Sequence, residues 1–280
     1  MHLIVGAGLA GLTVGKRVEG IIVEEQPRPG GVFVKEEILG HDIPLIPPLI
    51  WNTECISTLQ GKLRLREFEA VWFGKGEIGL DNVEWVPQRG RNFALVENLT
   101  DFLSKLASES RIVRGRILSL KNKRVLLSNG KWIQFEDIYN AGSRNRLGKL
   151  LGIDEGLDSL NVGITLMISE VSGDDWNIVV PKGASFRYAV KLNIDKLELL
   201  YAFSFYQKND IPSNLEERVI SEARRKSLIG KILAVRHRVI SEGVLLGEPK
   251  LDLDHVHNCG RLGEWKNYDI CSTLKSAESC

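Results

Sequence analysis

Apolar and polar positions along this chain predict a strand, a helix and a second strand within the first 24 residues. His2-Leu3-Ile4-Val5 is a short apolar strand, Leu9 to about Val18 carries helical spacing, and Ile21-Ile22-Val23 is a strand that ends on Glu24. Pro27-Arg28-Pro29-Gly30-Gly31 must be a loop, because proline and glycine break both regular structures. Val32 to Leu39 reads as a strand, and Ile43 to Trp51 as an apolar loop stiffened by Pro44, Pro47 and Pro48. Leu63-Arg64-Leu65-Arg66 and Val83-Glu84-Trp85-Val86 alternate with a period of two and predict strands. Val96, Leu99, Leu103 and Leu106 predict a helix over 96–107.

The segment 111–141 is dense in strand patterns. Arg111–Leu120 and Arg124–Leu127 flank Lys121-Asn122-Lys123, the Asn129-Gly130 turn follows, and Trp132–Phe135 completes a meander. Asp137-Ile138-Tyr139-Asn140-Ala141-Gly142 is a further strand ending in small residues. Strands recur over 161–206, including Ile178-Val179-Val180 and Leu199–Phe205, and Leu215–Ile232 reads as a charged helix. His255–Cys280 reads as a strand, a glycine-containing loop and a final helix.

Chemistry first enters between the opening strand and helix, at Gly6-Ala7-Gly8-Leu9-Ala10-Gly11. Gly6 permits a tight strand-to-helix turn, Gly8 lets backbone approach a pyrophosphate, and Gly11 lets helix and strand pack closely. The helix N-terminus offers unpaired N–H groups and a partial positive charge to phosphates. Glu24 closes the second strand, where a carboxylate can accept the hydroxyls of an adenosine ribose. The order of these features predicts a dinucleotide site.

Composition narrows the function. Thirty-seven basic against 36 acidic residues give a net charge of +1, which argues against a general electrostatic mode of nucleic-acid or membrane binding. No apolar run reaches membrane-spanning length, and the first strand leaves no room for a signal peptide, so a cytoplasmic location is expected. Cys55, Cys259, Cys271 and Cys280 form no CxxC and have no histidines at ligand spacing. They read as free thiols in a reducing compartment, with no metal site. Two methionines and five glutamines in 280 residues suggest a thermophilic source.

Several segments together resemble a known family. GAGLAG, Glu24 and Arg28-Pro29-Gly30-Gly31 resemble the FAD-binding signature of the amine oxidase, protoporphyrinogen oxidase, phytoene desaturase and UDP-galactopyranose mutase superfamily. Pro87-Gln88-Arg89-Gly90 before the 96–107 helix and the strand ending at Ala141 are similar to two further segments of it. Cys259-Gly260-Arg261-Leu262-Gly263-Glu264-Trp265-Lys266-Asn267 is similar to its C-terminal flavin-binding segment. The resemblance implies an α/β fold: a Rossmann-like (GxGxxG) FAD-binding domain with a β-meander, plus a smaller α+β substrate domain built on a mixed sheet. Residues 1–52, 93–158 and 246–280 would form the first and 53–92 with 159–245 the second.

It also implies a non-covalent FAD. Gly6, Gly8, Ala10 and Gly11 would lie at the pyrophosphate, Glu24 and Glu25 at the adenosine ribose, and Arg28, Gly30 and Gly31 near phosphates and ribityl chain. Ile117 would contact adenine through its backbone. Ala141, Gly260 and Arg261 would border the flavin, Glu264 would bond ribityl or phosphate, and Asp269 and Ile270 would present helix N-terminal amides to the flavin pyrimidine. The stretch from Gly31 to Pro87 is too short for the helical substrate-binding insertion of the large members. Ile46-Pro47-Pro48 stands where the mutases carry glycine–proline–histidine.

The expected function is an FAD-dependent oxidoreductase that oxidises a small or apolar molecule by hydride transfer to the flavin. A mutase-like non-redox flavoenzyme and a non-catalytic flavoprotein, or one lobe of a larger complex, are the alternatives. A second copy or a partner would then cover a flavin that has no lid. Arg187 and Tyr188 are the candidates for orienting substrate. The Ile43–Trp51 loop either lines an apolar pocket or fills the core. His237, between Arg236 and Arg238, reads as a solvated strand end or as a contact for an anionic substrate, and Arg144 and Arg146 as loop arginines or a phosphate clamp.

Overall fold

Strand β1 (His2–Val5) sits at the centre of a five-stranded parallel sheet and alternates its side chains between two cores. The computed structural model describes residues 1–51, 59, 61–210, 212–251 and 255–280. The remaining strands of this sheet are β2 (Gly20–Glu24), β9 (Ile112–Arg114), β13 (Ile138–Asn140) and β19 (Val256–Asn258), in the order β19-β13-β1-β2-β9. Ile4 packs beneath helices α1 (Leu9–Arg17), α2 (Leu99–Ser108) and α6 (Ile270–Ser279), against Leu12, Leu99, Leu103 and Leu274. Leu3, Ile21 and Ile138 face the other way, onto Val125, Leu127 and Phe135 of a meander built from β10 (Ile117–Lys121), β11 (Arg124–Leu127) and β12 (Trp132–Gln134), and onto Leu147 of α3 (Arg144–Leu150). Because both faces are covered, the strands read as continuous apolar runs.

A six-stranded mixed sheet follows, in the order β18-β14-β17-β16-β15-β7. Its members are β7 (Trp72–Phe73), β14 (Asp158–Glu170), β15 (Ile178–Val179), β16 (Tyr188–Ile194), β17 (Leu197–Gln207) and β18 (Ile232–Leu246). One face, carrying Met167, Leu200 and Ala202, is covered by Val219 and Ala223 of α4 (Leu215–Arg225). The other, carrying Val162, Ile164, Leu166, Tyr188 and Tyr201, packs on Ile43, Ile46, Leu49, Trp51 and Phe93. Ile43 belongs to β4 (His41–Pro44), which pairs with β3 (Lys35–Ile38); Leu49 and Phe93 belong to the sheet β5 (Leu49–Ile50), β8 (Phe93–Val96) and β6 (Leu65–Phe68), and Ile46 and Trp51 flank β5. Helix α5 (Gly260–Glu264) joins β19 to α6. No helix among the described residues is long and apolar enough to cross a membrane.

Several expectations are corrected. Val83–Val86 is a pair of turns, with Val83 and Val86 buried as plugs beneath the large sheet, so the alternation there marks burial without pairing. Val96 closes a strand, and the helix begins only at Leu99. Within the Ile43–Trp51 loop, Pro44 ends one strand and Leu49-Ile50 form another. Helix α4 stops seven residues short of Ile232. Ser227 takes φ +55°, and the Leu228 N–H donates to the Ala223 carbonyl at 2.9 Å. A left-handed closing turn without glycine leaves little trace in a sequence.

The cysteines are not all free thiols. Cys259 and Cys280, 21 residues apart, form a disulfide with their Cα atoms 5.7 Å apart, and Cys271 is also disulfide-bonded. Helix α6 runs back so that its end returns to the residue that begins α5, a closure no local spacing reports. Cys55 lies outside the described residues, and the thiol argument for a reducing compartment falls away.

Candidate functional site

The turn between β1 and α1 gives each of its three glycines a different reason to be glycine. Gly6 has φ +90°. At Gly11 a Cβ would lie 1.8 Å from the Gly6 carbonyl oxygen, so the helix can sit on the turn only without one. Gly8 is different. It adopts φ −81° and ψ −169°, open to any residue, and a Cβ there would meet nothing nearer than the Gly31 Cα at 3.9 Å. Neither backbone nor packing asks for glycine at this position. The space in front of it, at an N-terminus with no side-chain cap, is a cradle that a Cβ would fill.

The second glycine loop closes over the first, with the Gly30 N–H donating to the Ala7 carbonyl at 2.7 Å. Glu24 is buried, and its carboxylate accepts the Ala7 N–H at 2.6 Å and the Gln26 N–H at 2.7 Å. The Gly115 N–H donates to the Glu24 carbonyl at 2.8 Å and brings the start of β10, with Ile117 half-buried, alongside the end of β2. Glu25 is held by both arms of Arg146, the longer contact at 2.8 Å, and this guanidinium, with help from Arg116, lowers the Glu25 carboxyl from its ordinary value. Arg28 is exposed.

From this turn a cavity of about 220 Å³ runs between the two large sheets. Gly8, Ala10, Gly30, Gly31, Ala141, Arg261, Asp269, Ile270 and Thr273 line one side. The six-stranded sheet lines the other with Val162, Ile164, Tyr188, Val190, Phe203 and Ile240, and Ile46, Pro47, Leu49, Trp51 and Trp85 close it. The Ile43–Trp51 segment thus serves both readings, since Ile43 is core and Ile46 to Trp51 is pocket wall.

Few polar groups face this space. Tyr188 stacks on Phe203 at 4.5 Å between ring centres, and burial pushes its phenol well above the usual value, so it stays protonated. The Trp85 Nε1 and one Asp269 carboxylate oxygen are buried with no hydrogen-bond partner. Burial raises Asp269 to about 6 although the Ser272 N–H donates to it at 2.9 Å, and nearby Glu84 adds to the rise. Arg261 donates to the carbonyls of Glu242 at 2.7 Å and Gly243 at 2.9 Å, tying α5 to β18. Burial pulls it down to about 10, which leaves it charged at neutral pH.

Of the residues singled out from the sequence, the structure brings Gly8, Ala10, Gly30, Gly31, Ala141, Arg261, Asp269, Ile270 and Tyr188 to one cavity. Gly6, Gly11, Glu24, Glu25 and Ile117 cluster at the end of β2. Arg187 belongs to neither group. It is exposed and lies just before β16, whose first residue, Tyr188, takes the cavity side. Glu264 spends its oxygens inside the chain, accepting from the Ser276 hydroxyl and from the Tyr268 hydroxyl at 2.8 Å. Gly260 packs against Ala10, where a Cβ would lie 2.3 Å from the alanine methyl. The Asp269 amide donates to Glu84 at 3.1 Å, which removes one of the two helix amides expected to face the pyrimidine. Arg144 is no phosphate clamp, since it is buried in a two-armed pair with Glu155 at 2.7 and 3.0 Å. Trp51 belongs to the loop already weighed as a pocket wall, but Trp85 and Phe203 were not singled out. Their only sequence signature is an aromatic amid apolar neighbours, which any core shares. No group of three or more His, Cys, Asp or Glu side chains among the described residues is placed to hold a metal ion.

The chain matches no known family profile and no curated protein sequence. Its fold, however, recurs in solved structures. A reduced UDP-galactopyranose mutase aligns over 99% of this chain and 94% of its own, with a TM-score of 0.74 at 11% identity. The fold is similar to those of FAD-binding flavoenzymes. An oxidoreductase from Methanosarcina mazei aligns over 99% of both chains with a TM-score of 0.70 at 10% identity. Putrescine oxidase bound to putrescine aligns over 99% of this chain and 97% of its own, with a TM-score of 0.68 at 12% identity. These enzymes belong to the superfamily whose motifs the sequence resembles, and at such identities the fold is what is shared.

Proposed function

We propose that this protein is an FAD-dependent oxidoreductase acting on a small, largely apolar molecule. The observation that carries the reading is Gly8, a glycine required by nothing inside the chain and set beside Gly31 at a bare helix N-terminus that opens into the cavity. The pyrophosphate of FAD fits that cradle, Glu24 at the end of β2 fits its adenosine ribose, and the apolar cavity bordered by Gly31, Ala141, Arg261 and Ile270 fits its ring. Bound there, FAD supplies a two-electron acceptor. Cys259 is occupied by its disulfide, which accords with a cofactor held without a covalent bond.

The chain's own residues do the rest. The wall of Val162, Ile164, Val190 and Phe203 excludes water and binds apolar surface. The Tyr188 hydroxyl offers a neutral donor to a polar atom of the substrate. No histidine is among the described residues that line the cavity, which sets it apart from the histidine-dependent chemistry of the mutases. We read residues 1–52, 93–158 and 246–280 as the cofactor-binding part and 53–92 with 159–245 as the substrate part. The test is an absorption spectrum and mass analysis of the protein as isolated, followed by anaerobic titration with amines and desaturable apolar compounds. A colourless protein that takes up no FAD overturns the reading. Flavin bleaching by one substrate class supports it.

A further inference from the structure

The apolar wall of the cavity continues into a cation that has no counter-charge among the described residues. β14 and β18 pair antiparallel with Val162 opposite Ile240, Ile164 opposite Arg238, Thr165 opposite His237 and Leu166 opposite Arg236. The Thr165 hydroxyl lies 2.9 Å from the His237 Nδ1, which fixes these two side chains on one face of the sheet. Ile164 and Ile240 line the cavity, so period-two alternation sets Arg238 on the cavity face, between Ile240 and Arg236 and beside Ile164. His237 is turned away from it, and the tripeptide does not act as a unit.

The two arginines on this face differ. Arg236 is exposed and pairs with Glu36 of β3 at 3.4 Å. Arg238 is half-buried and has no carboxylate, carbonyl or ring partner among the described residues. Removing part of the hydration of a guanidinium without giving it a partner is unfavourable, and its apolar neighbours in register cannot compensate. A chain that needed only an apolar strand could place an aliphatic residue there, as at Ala234 and Ile240.

We propose that Arg238 binds the carboxylate of an amphipathic monoanion whose apolar body lies in the cavity against Ile164, Tyr188 and Phe203. A planar guanidinium recognises a carboxylate through two parallel hydrogen bonds, and the low-polarity surroundings strengthen them. Among the described residues the wall of the cavity offers room and apolar surface and one other cation, Arg261, whose two terminal nitrogens already donate to the Gly243 and Glu242 carbonyls. The ligand class is therefore a single carboxylate on an apolar frame, not a di- or triphosphate. This specificity residue rests on the reading of the cavity as a substrate site.

Phenylacetate and phenylacetamide are the probes, being alike in shape and different in charge. Calorimetry and quenching of tryptophan fluorescence read their binding to the flavin-loaded protein and, in parallel, to protein stripped of flavin. The acid binds at least roughly tenfold more tightly than the amide, as a charged hydrogen-bonded pair requires. R238A brings the ratio to about one, with flavin content unchanged and the melting temperature no lower, and R238K restores part of it. Equal binding of the two probes, no binding of the acid, or a preference that survives in R238A each overturns the assignment. A protein that takes up no flavin overturns the cofactor reading instead, while the acid-to-amide ratio of the stripped protein still decides Arg238.

Discussion

Gly11 lies over Gly6 so closely that a methyl group on Gly11 would be 1.8 Å from the Gly6 carbonyl oxygen. This contact joins the first helix to the first strand, and the loop between them holds the proposed pyrophosphate cradle. Gly11→Ala forces the two apart. The expected cost is about 1–3 kcal/mol, typical of overpacking. It appears as a lower denaturant midpoint together with weaker flavin retention. A variant with the wild-type midpoint would show that the helix can shift freely.

Gly8→Ala separates cofactor from fold. Its backbone suits alanine and its Cβ meets only the Gly31 Cα at 3.9 Å, so apoprotein stability stays within about 0.5 kcal/mol of wild type. FAD affinity falls, because the methyl group enters the cradle. Parallel unfolding curves and flavin titrations of the two apoproteins measure both effects. Unchanged affinity would remove the pyrophosphate from this position.

Glu24→Ala removes an acceptor shared by two backbone N–H groups and, on the proposed function, by the ribose. Loss of hydrogen bonds to a charged group costs about 1.5–3 kcal/mol. That weakens FAD binding by roughly ten- to a hundredfold in equilibrium dialysis. Glu24→Gln keeps one acceptor and loses less.

Asp269 makes stability depend on pH. Its folded value, raised to about 6, lies above the ordinary aspartate value, so the folded state binds the proton more tightly than the unfolded chain. The stability this adds is fully present below pH about 4 and is lost as pH rises through about 6. Asp269→Asn keeps a good helix N-cap without the charge. It leaves stability unchanged at pH about 4 and raises it by about 3 kcal/mol at pH about 7.5, measured by urea unfolding at the two pH values. A variant equally destabilised at both would mean that the carboxylate is not penalised by burial.

The Cys259–Cys280 disulfide closes a loop of 21 residues that contains the cavity-lining segment Arg261–Thr273. Cys280→Ser lowers stability by about 2–4 kcal/mol under oxidising conditions, and reductant lowers the wild type but not this bridge's contribution in the variant. Thiol labelling before and after reduction, read by mass spectrometry, checks that both cysteines are protected.

Sequence alone determined the turn proposed to hold the cofactor, because the requirements there are local. A tight turn, a close helix–strand contact and an acid at a strand end must sit at fixed intervals along one βαβ unit, and GAGLAG with Glu24 meets them in 19 residues. The opening strands, the meander and the first helix were legible for the same reason, each carrying its own period, whereas Val83–Val86 kept the period without the pairing. What only the tertiary structure decided is everything set by contacts across long separations. The two sheets bring Trp85, Phe203 and Tyr188 to one cavity, turn Arg187 outward, and bring Cys259 to Cys280. Strand register divides Arg236 from Arg238 by giving one of them Glu36. Burial and pairing are properties of the space between elements, and no interval along the chain records them.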